Sequence, residues 1–302
     1  MRSVACYICG STEAAPLAHL RGPDVYLSLL GMDLSGFERR IVCCTDCGLV
    51  FKDPTLDPDE VDRLYRTAYR DHLYRSRSAE QLFTQTMSIP PEQSENAQKL
   101  AWMARALDRH GGTVRFGRLL DVGCGVGVVL AMAQRMFPDW DKAGVEPGAE
   151  AAAVAAAKTG VPVIADSYRP GMFDRPFDVI TLLHVLEHLP DPAALLSALS
   201  ADLAPGGVVF IETPSIEDLG SRPIDDDRFM APHLFFFSRH SIANLCHRAG
   251  FEVIESEIAR TVRGHYDLRV LCRPMNDESR SPPLRRDALH AVAALASRWN
   301  AP

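Results

Sequence analysis

The chain has 302 residues, 47% hydrophobic and 24% charged, which suits one large globular core with room for a satellite module. Its formal net charge of -7 argues against nucleic acid as the main partner, because polyanion binding selects a basic excess. No apolar run approaches the roughly 18 uncharged residues of a membrane helix, and MRSVACYICG reaches its cysteines too soon for a secretory leader, so a cytoplasmic protein with no membrane partner is expected.

Residues 1–58 form the first unit. In a reducing compartment paired cysteines serve more often as metal ligands than as disulfides. Cys6-x-x-Cys9 and Cys44-x-x-Cys47 each place two thiolates on one tight turn, and the glycine after each (CYICG, CTDCG) eases that turn. Two such turns complete a tetrahedral Zn²⁺ site, and four thiolates leave no open position, so the expected role is structural. A redox dithiol competes with this reading, and Cys43 becomes a ligand if the register is off by one. Cys124, Cys246 and Cys272 read as small buried residues. The unit ends at FKDPTLDPDE, a proline-punctuated exit.

Residues 59–93 read as a helical linker. VDRLYRTAYRDHLYR sets Tyr65, Tyr69 and His72 on one face at i, i+4 and i+7, with Arg63, Arg66 and Arg70 on another side. Either the helix lids a pocket, with Tyr65 and Tyr69 against an acceptor, or it buries its aromatics and solvates its arginines. Pro90 and Pro91 interrupt the helical pattern, which resumes over Ser94–His110 and stops at Gly111-Gly112.

Residues 94–275 alternate apolar strand candidates with helices, the signature of βαβ units and a parallel sheet. RLLDVG, KAGVEP, VPVIAD, FDVITLLHV, GGVVFIETP and FEVIESEI are the strands, with DLRVLCRP as a last one. Residues 276–302 read as a loop and a short surface helix.

LLDVGCGVGVVL is the most informative segment. Gly123, Gly125 and Gly127 clear side chains from a turn that leads into a helix N-terminus, where free N–H groups meet a ligand. The dinucleotide fingerprint G-x-G-x-x-G is not met: the third glycine comes one position early, and Val128 stands in its place. Asp121, at the strand end, suits a cationic ammonium group and would repel a pyrophosphate. That pair of features disfavours an NAD(P) oxidoreductase. Glu146 closes the next strand, where a carboxylate accepts ribose hydroxyls, and Asp166 closes the third, within reach of an adenine amino group.

Taken together, DVGCGVG, VEPG, the acid of IADS, and FDVITLLHVLEHLPDP followed by LAPGGVVFIETP resemble the class I S-adenosylmethionine (SAM) dependent methyltransferases over about residues 95–272. The resemblance implies an α/β, Rossmann-like seven-stranded sheet with a reversed last strand and SAM across the strand carboxyl ends. Carried over, Asp121, Gly123, Gly125 and Gly127 hold the methionine end, Glu146 the ribose and Asp166 the adenine. Leu183 and His184 contact the cofactor from the fourth strand.

The cysteine pairs followed by GLVFKDP and a tyrosine-rich helix resemble the N-terminal domain of a subgroup that includes C-methyltransferases of nucleotide-linked deoxysugars. Those enzymes carry a further C-terminal domain that this sequence does not include. In them a Glu-His pair, matching Pro232-His233 here, supplies the base; the histidine is kept and the glutamate is not. His188 matches an active-site histidine of the same group. The expectation is a methyl transfer to a small-molecule acceptor, a sugar or natural-product intermediate, by a monomer or homodimer, with histidine-assisted deprotonation. O- or N-methylation of another metabolite needs the same site. Two further functions compete with that expectation: a zinc-bearing RNA or protein methyltransferase, and a SAM-binding protein without catalysis.

Overall fold

The computed structural model describes residues 5–20, 22–32, 39–65, 77–111, 117–219, 222 and 226–275. Two sheets organise them. The larger contains β4 (Arg118–Val122), β5 (Asp141–Val145), β6 (Val163–Ile164), β7 (Phe177–Leu183), β8 (Leu203–Pro214), β10 (Phe251–Arg260) and β11 (Tyr266–Pro274), in the order β10-β11-β8-β7-β4-β5-β6. Neighbours from β8 through β6 run parallel, whereas β11 is antiparallel to both β8 and β10. This is the Rossmann-like methyltransferase sheet with one reversed strand that the family resemblance implies, on the parallel βαβ framework expected from the strand pattern. VPVIAD contributes only the two residues of β6.

Period-two alternation sorts the sheet's side chains to two faces. Leu119, Val179, Phe210 and Leu271 point one way, and Leu120, Ile180, Ile211 and Val270 the other. The first face is covered by the Glu95–Arg109 helix, capped by the Ser94 hydroxyl, which accepts from Ala97 N, and its Trp102 ring stacks on Phe210 at 5.3 Å. Each such fully buried side chain contributes about 1.5–3 kcal/mol. The helices Val128–Met136 and Ala149–Thr159 follow β4 and β5, so both begin at the carboxyl ends of strands.

The smaller sheet holds β1 (Ala14–Leu20), β2 (Arg39–Cys44), β3 (Val50–Asp53) and β9 (Phe235–Phe236), all antiparallel in that order. β9 comes from far along the chain: Val50 pairs with Phe236 and Phe51 with Phe235, and Lys52 N donates to Leu234 O. One hydrophobic cluster runs unbroken from Cys6, Ile8, Leu49 and Phe51 to Ile180 and Leu268 on the larger sheet. The N-terminal segment therefore builds on the second face of the large sheet through β9.

Between the sheets' contributions lie the helices Pro58–Arg63, boxed at its start by Asp57 and Glu60, and Ala79–Met87, boxed by Ser78 and Gln81. A 3₁₀ turn at Pro91–Gln93 marks the predicted proline break. Tyr69, His72, Arg66 and Arg70 lie outside the described residues, as do Gly112 and the tail 276–302. No helix among the described residues is long and apolar enough to cross a membrane.

Candidate active site

The glycine turn joins β4 to its helix, and all three glycines have positive φ: +78° at Gly123, +53° at Gly125 and +85° at Gly127. Two of them are dictated by packing. A Cβ on Gly123 would stand 2.7 Å from Val185 Cγ2, and one on Gly127 would stand 2.9 Å from Ala155 Cα. A Cβ on Gly125 would meet nothing within 4 Å. The middle glycine therefore faces space that no protein atom fills.

The acids stand at the carboxyl ends of the neighbouring strands β4, β5 and β6. Asp121, 2% exposed, sits between Gly144 of β5 and Thr181 of β7 in the sheet register, and its Oδ1 accepts from the Thr181 hydroxyl at 2.6 Å. Burial pushes its pKa up to about 7, against the opposing pull of Thr181 and of the Lys99 ammonium. Glu146 fixes the turn from the next strand: Oε2 accepts from Gly125 N at 3.0 Å and Oε1 from Gly148 N at 2.8 Å. Asp166 stands farther out, its side chain 40% exposed, accepting from Arg169 Nη2 and from Ser167 N, both at 2.7 Å.

Beyond β7 the chain turns sharply. His184 has φ +56°, the left-handed region that a non-glycine residue rarely adopts, and its N–H donates to Glu212 O at 2.8 Å. Its ring bridges buried carboxylates, with Nδ1 3.3 Å from Glu187 Oε1 and Nε2 3.3 Å from Glu212 Oε1. Burial works against charging it, but Glu187 and Glu212 prevail and raise its pKa to about 9. Glu212 is itself clamped by Lys99 Nζ at 2.6 Å and Arg269 Nε at 2.8 Å. Sequence patterns did not single out Lys99, Thr181, Glu187 or Glu212. Three of the four sit inside a helix or strand, where pattern reads only the apolar stripe.

Three predicted residues converge next to this network. The rings of His188 and His233 lie 4.8 Å apart, and Tyr65 meets His188 edge-on at 5.6 Å. His188 Nδ1 is 2.9 Å from Pro232 O and His233 Nδ1 is 2.9 Å from Arg228 O. A carbonyl only accepts, so both Nδ1 atoms carry the proton and both Nε2 atoms keep a lone pair. Burial lowers the pKa of each, His233 to about 3, where the neighbouring His188 adds to the effect. Burial thus favours the neutral form of both rings. β9 explains how His233 arrives here, because the Leu234 N–H next to it donates to Glu187 O at 2.7 Å.

The cysteines form a second centre. Cys6 Sγ lies 3.4 Å from Cys47 Sγ, Cys9 Sγ lies 3.4 Å from Cys44 Sγ, and all four sulfurs fall within 4.8 Å of one another. Sulfurs on one tetrahedral Zn²⁺ stand about 3.8 Å apart, given bonds of about 2.3 Å. The donor set fits such an ion. Cys43, on the opposite face of β2, packs in a different cluster with Ile41 and Phe236. Cys124, Cys246 and Cys272 are buried, as expected.

Comparison with known proteins bears on the family and the fold. Residues 92–256 match a family described as a methyltransferase domain. The chain is 37% identical over 128 residues to the ubiquinone biosynthesis O-methyltransferase of Aeromonas salmonicida, covering 39% of this chain and 50% of that protein. The counterpart in Pseudomonas paraeruginosa is 35% identical over 130 residues, covering 39% and 51%. The chain thus spans about half the length of the curated relatives it matches. It is also similar in structure to the Burkholderia thailandensis 1,6-didemethyltoxoflavin-N1-methyltransferase with bound 1,6-didemethyltoxoflavin and S-adenosylhomocysteine. There the TM-score is 0.54 at 20% identity, over 76% of this chain and 96% of that one, a likeness of fold.

Proposed function

The chain belongs to the methyltransferase-domain family, and on that premise we propose that it transfers the methyl group of SAM to a small-molecule acceptor. The observation that carries the proposal is the glycine turn after β4, where Glu146 holds Gly125 N and no side chain fills the space beside Gly125, with the buried Asp121 in the strand that leads into it. Asp121 would face the ammonium group, with Gly123 and Gly127 shaping the turn around it. Glu146, at the end of the next strand, would accept the ribose hydroxyls, and Asp166 the adenine amino group. Leu183 and the strained backbone of His184 would border the cofactor from β7. The cofactor, once bound, supplies an electrophilic methyl on a sulfonium; alignment and deprotonation of the acceptor fall to the protein.

The acceptor side belongs to Tyr65, His188 and His233. Neutral imidazoles with Nδ1 anchored to carbonyls present Nε2 as proton acceptors. Tyr65 fixes the wall beside them, and Tyr69 remains a candidate for the same wall. The acceptor we favour is a sugar or natural-product intermediate, on the strength of the cysteine module joined to this histidine pair. A second reading, O-methylation of a small-molecule hydroxyl, is favoured by the names of the relatives, ubiquinone biosynthesis O-methyltransferases. We further propose that Cys6, Cys9, Cys44 and Cys47 hold a structural Zn²⁺.

The test is S-adenosylhomocysteine release from SAM, measured with nucleotide sugars, phenolic acceptors, bulk RNA and an unfolded-protein mixture offered separately. Turnover with a small molecule, lost in His188→Gln or His233→Gln, supports the proposal. Turnover with RNA or protein alone would replace the acceptor class.

A further inference from the structure

Glu187 stands at the centre of the histidines and has no role in the proposal above. It is 1% exposed, on the turn Leu186–His188 that follows β7. Its Oε2 accepts from the Thr213 hydroxyl at 3.2 Å, which fixes the carboxylate from β8. Its Oε1 lies 3.3 Å from His184 Nδ1 and 3.8 Å from His188 Nε2, both longer than a formed hydrogen bond. Among the described residues, no carboxylate oxygen lies within 4 Å of His233. One Glu187 oxygen and one ring nitrogen of each of His188 and His233 nevertheless fall within 4.8 Å of one another.

We infer that Glu187 is a positioning residue that makes His188, rather than His233, the group that takes the acceptor's proton. This rests on the proposed methyl transfer. Because His188 Nδ1–H is committed to Pro232 O, an incoming proton binds Nε2, the nitrogen that faces Glu187 Oε1. The acceptor X–H bond breaks, its electron pair forms the new bond to the methyl carbon, and the sulfonium leaves as a thioether. The proton remains on His188 as an imidazolium with Glu187 as counter-ion, and then passes to water. His233 has no carboxylate oxygen within 4 Å among the described residues, is held neutral by burial and by His188, and forms the wall against which His188 packs.

The surrounding charges support that assignment. His188 faces Glu187 on its own turn, His184 at the end of β7, His233 beside β9, Lys52 of β3 and Tyr65 after the Pro58–Arg63 helix. Glu187 is the one acid among them. A divalent cation on the same three groups is disfavoured, since buried Lys99, Arg228 and Arg269 with a protonated His184 already outnumber Glu187, Glu212 and Asp267. That same excess favours an acceptor that has lost its proton.

Ring NMR of histidine-labelled full chain, titrated with acid and base, tests the inference, with His188 assigned through His188→Gln. Glu187→Gln is expected to lower the His188 pKa by about one unit, a tenfold loss of proton affinity, and Glu187→Asp to restore much of it. S-adenosylhomocysteine affinity should stay within about threefold in both variants, which also reports that they fold. An unchanged His188 titration in a Glu187→Gln chain that still binds S-adenosylhomocysteine would overturn the inference, as would a shift confined to His233. If Glu187→Gln fails to fold, Thr213→Val frees the carboxylate without removing it, and an unshifted His188 there overturns the inference equally. Loss of S-adenosylhomocysteine binding by the wild type would instead sink the methyl-transfer reading, leaving the Glu187–His188 titration readable by itself.

Discussion

Gly123, Gly125 and Gly127 read alike in sequence and differ in what each excludes. Gly127→Ala drives a methyl into the Ala155 backbone at a φ of +85°, so a loss of at least about 1–3 kcal/mol is expected in denaturant unfolding. Gly125→Ala meets no protein atom, so the fold should survive while affinity for S-adenosylhomocysteine falls about tenfold or more. Equal losses of stability and affinity in both variants would contradict a ligand beside Gly125. Asp121 adds a pH signature. Its folded pKa of about 7 lies above the ordinary value of about 4, so the folded chain holds a proton that the unfolded chain releases between them. Its contribution to stability is therefore present at low pH and lost as pH rises through 7. Binding a cationic ammonium selects the ionised form, so affinity for S-adenosylhomocysteine should climb toward pH 7, by up to about tenfold per unit, and then level off. Asp121→Asn should flatten that slope. Asp121 and the glycines were legible because a turn punctuates them; Lys99 and Thr181, which tune Asp121, were not, because interior polar residues leave no periodic mark.

At the scale of elements, β9 has the largest consequence for its length. Its two residues pair with β3, and Phe235, 2% exposed, carries the Tyr7 ring from the first cysteine turn edge-on at 4.7 Å. The Arg239–Arg248 helix that follows sends Arg248 Nη1 to Ile8 O at 2.8 Å. The cysteine module and the His233 segment are therefore built on one another. Phe235→Ala should cost about 3–5 kcal/mol in denaturant unfolding, as for other buried phenylalanines. A loss below about 1 kcal/mol would show that the pairing contributes little. The strands of the large sheet were legible in their apolar runs, while the reversal of β11 was expected only from the family resemblance. The small sheet was not: β9 is too short for alternation, and the turn residues of the cysteine region mask β1, β2 and β3.

At the scale of the whole molecule, two centres stand on one continuous core. The four sulfurs sit within the cluster that also holds Leu234, Phe235 and Phe237, so the ion proposed there should stabilise the chain beyond its own turns. Chelation, or Cys44→Ser, is expected to lower the unfolding midpoint by at least several degrees, with one equivalent of zinc lost on analysis. Zinc-free protein of unchanged midpoint would remove the metal from the account. The central claim, a SAM site at the carboxyl ends of β4 and β5, is tested most directly by calorimetric titration of zinc-replete protein with S-adenosylhomocysteine and, separately, with NADH. Micromolar binding of S-adenosylhomocysteine alone, abolished by Asp121→Ala or Glu146→Ala, is the expected result; binding of NADH instead, or of neither, would contradict it.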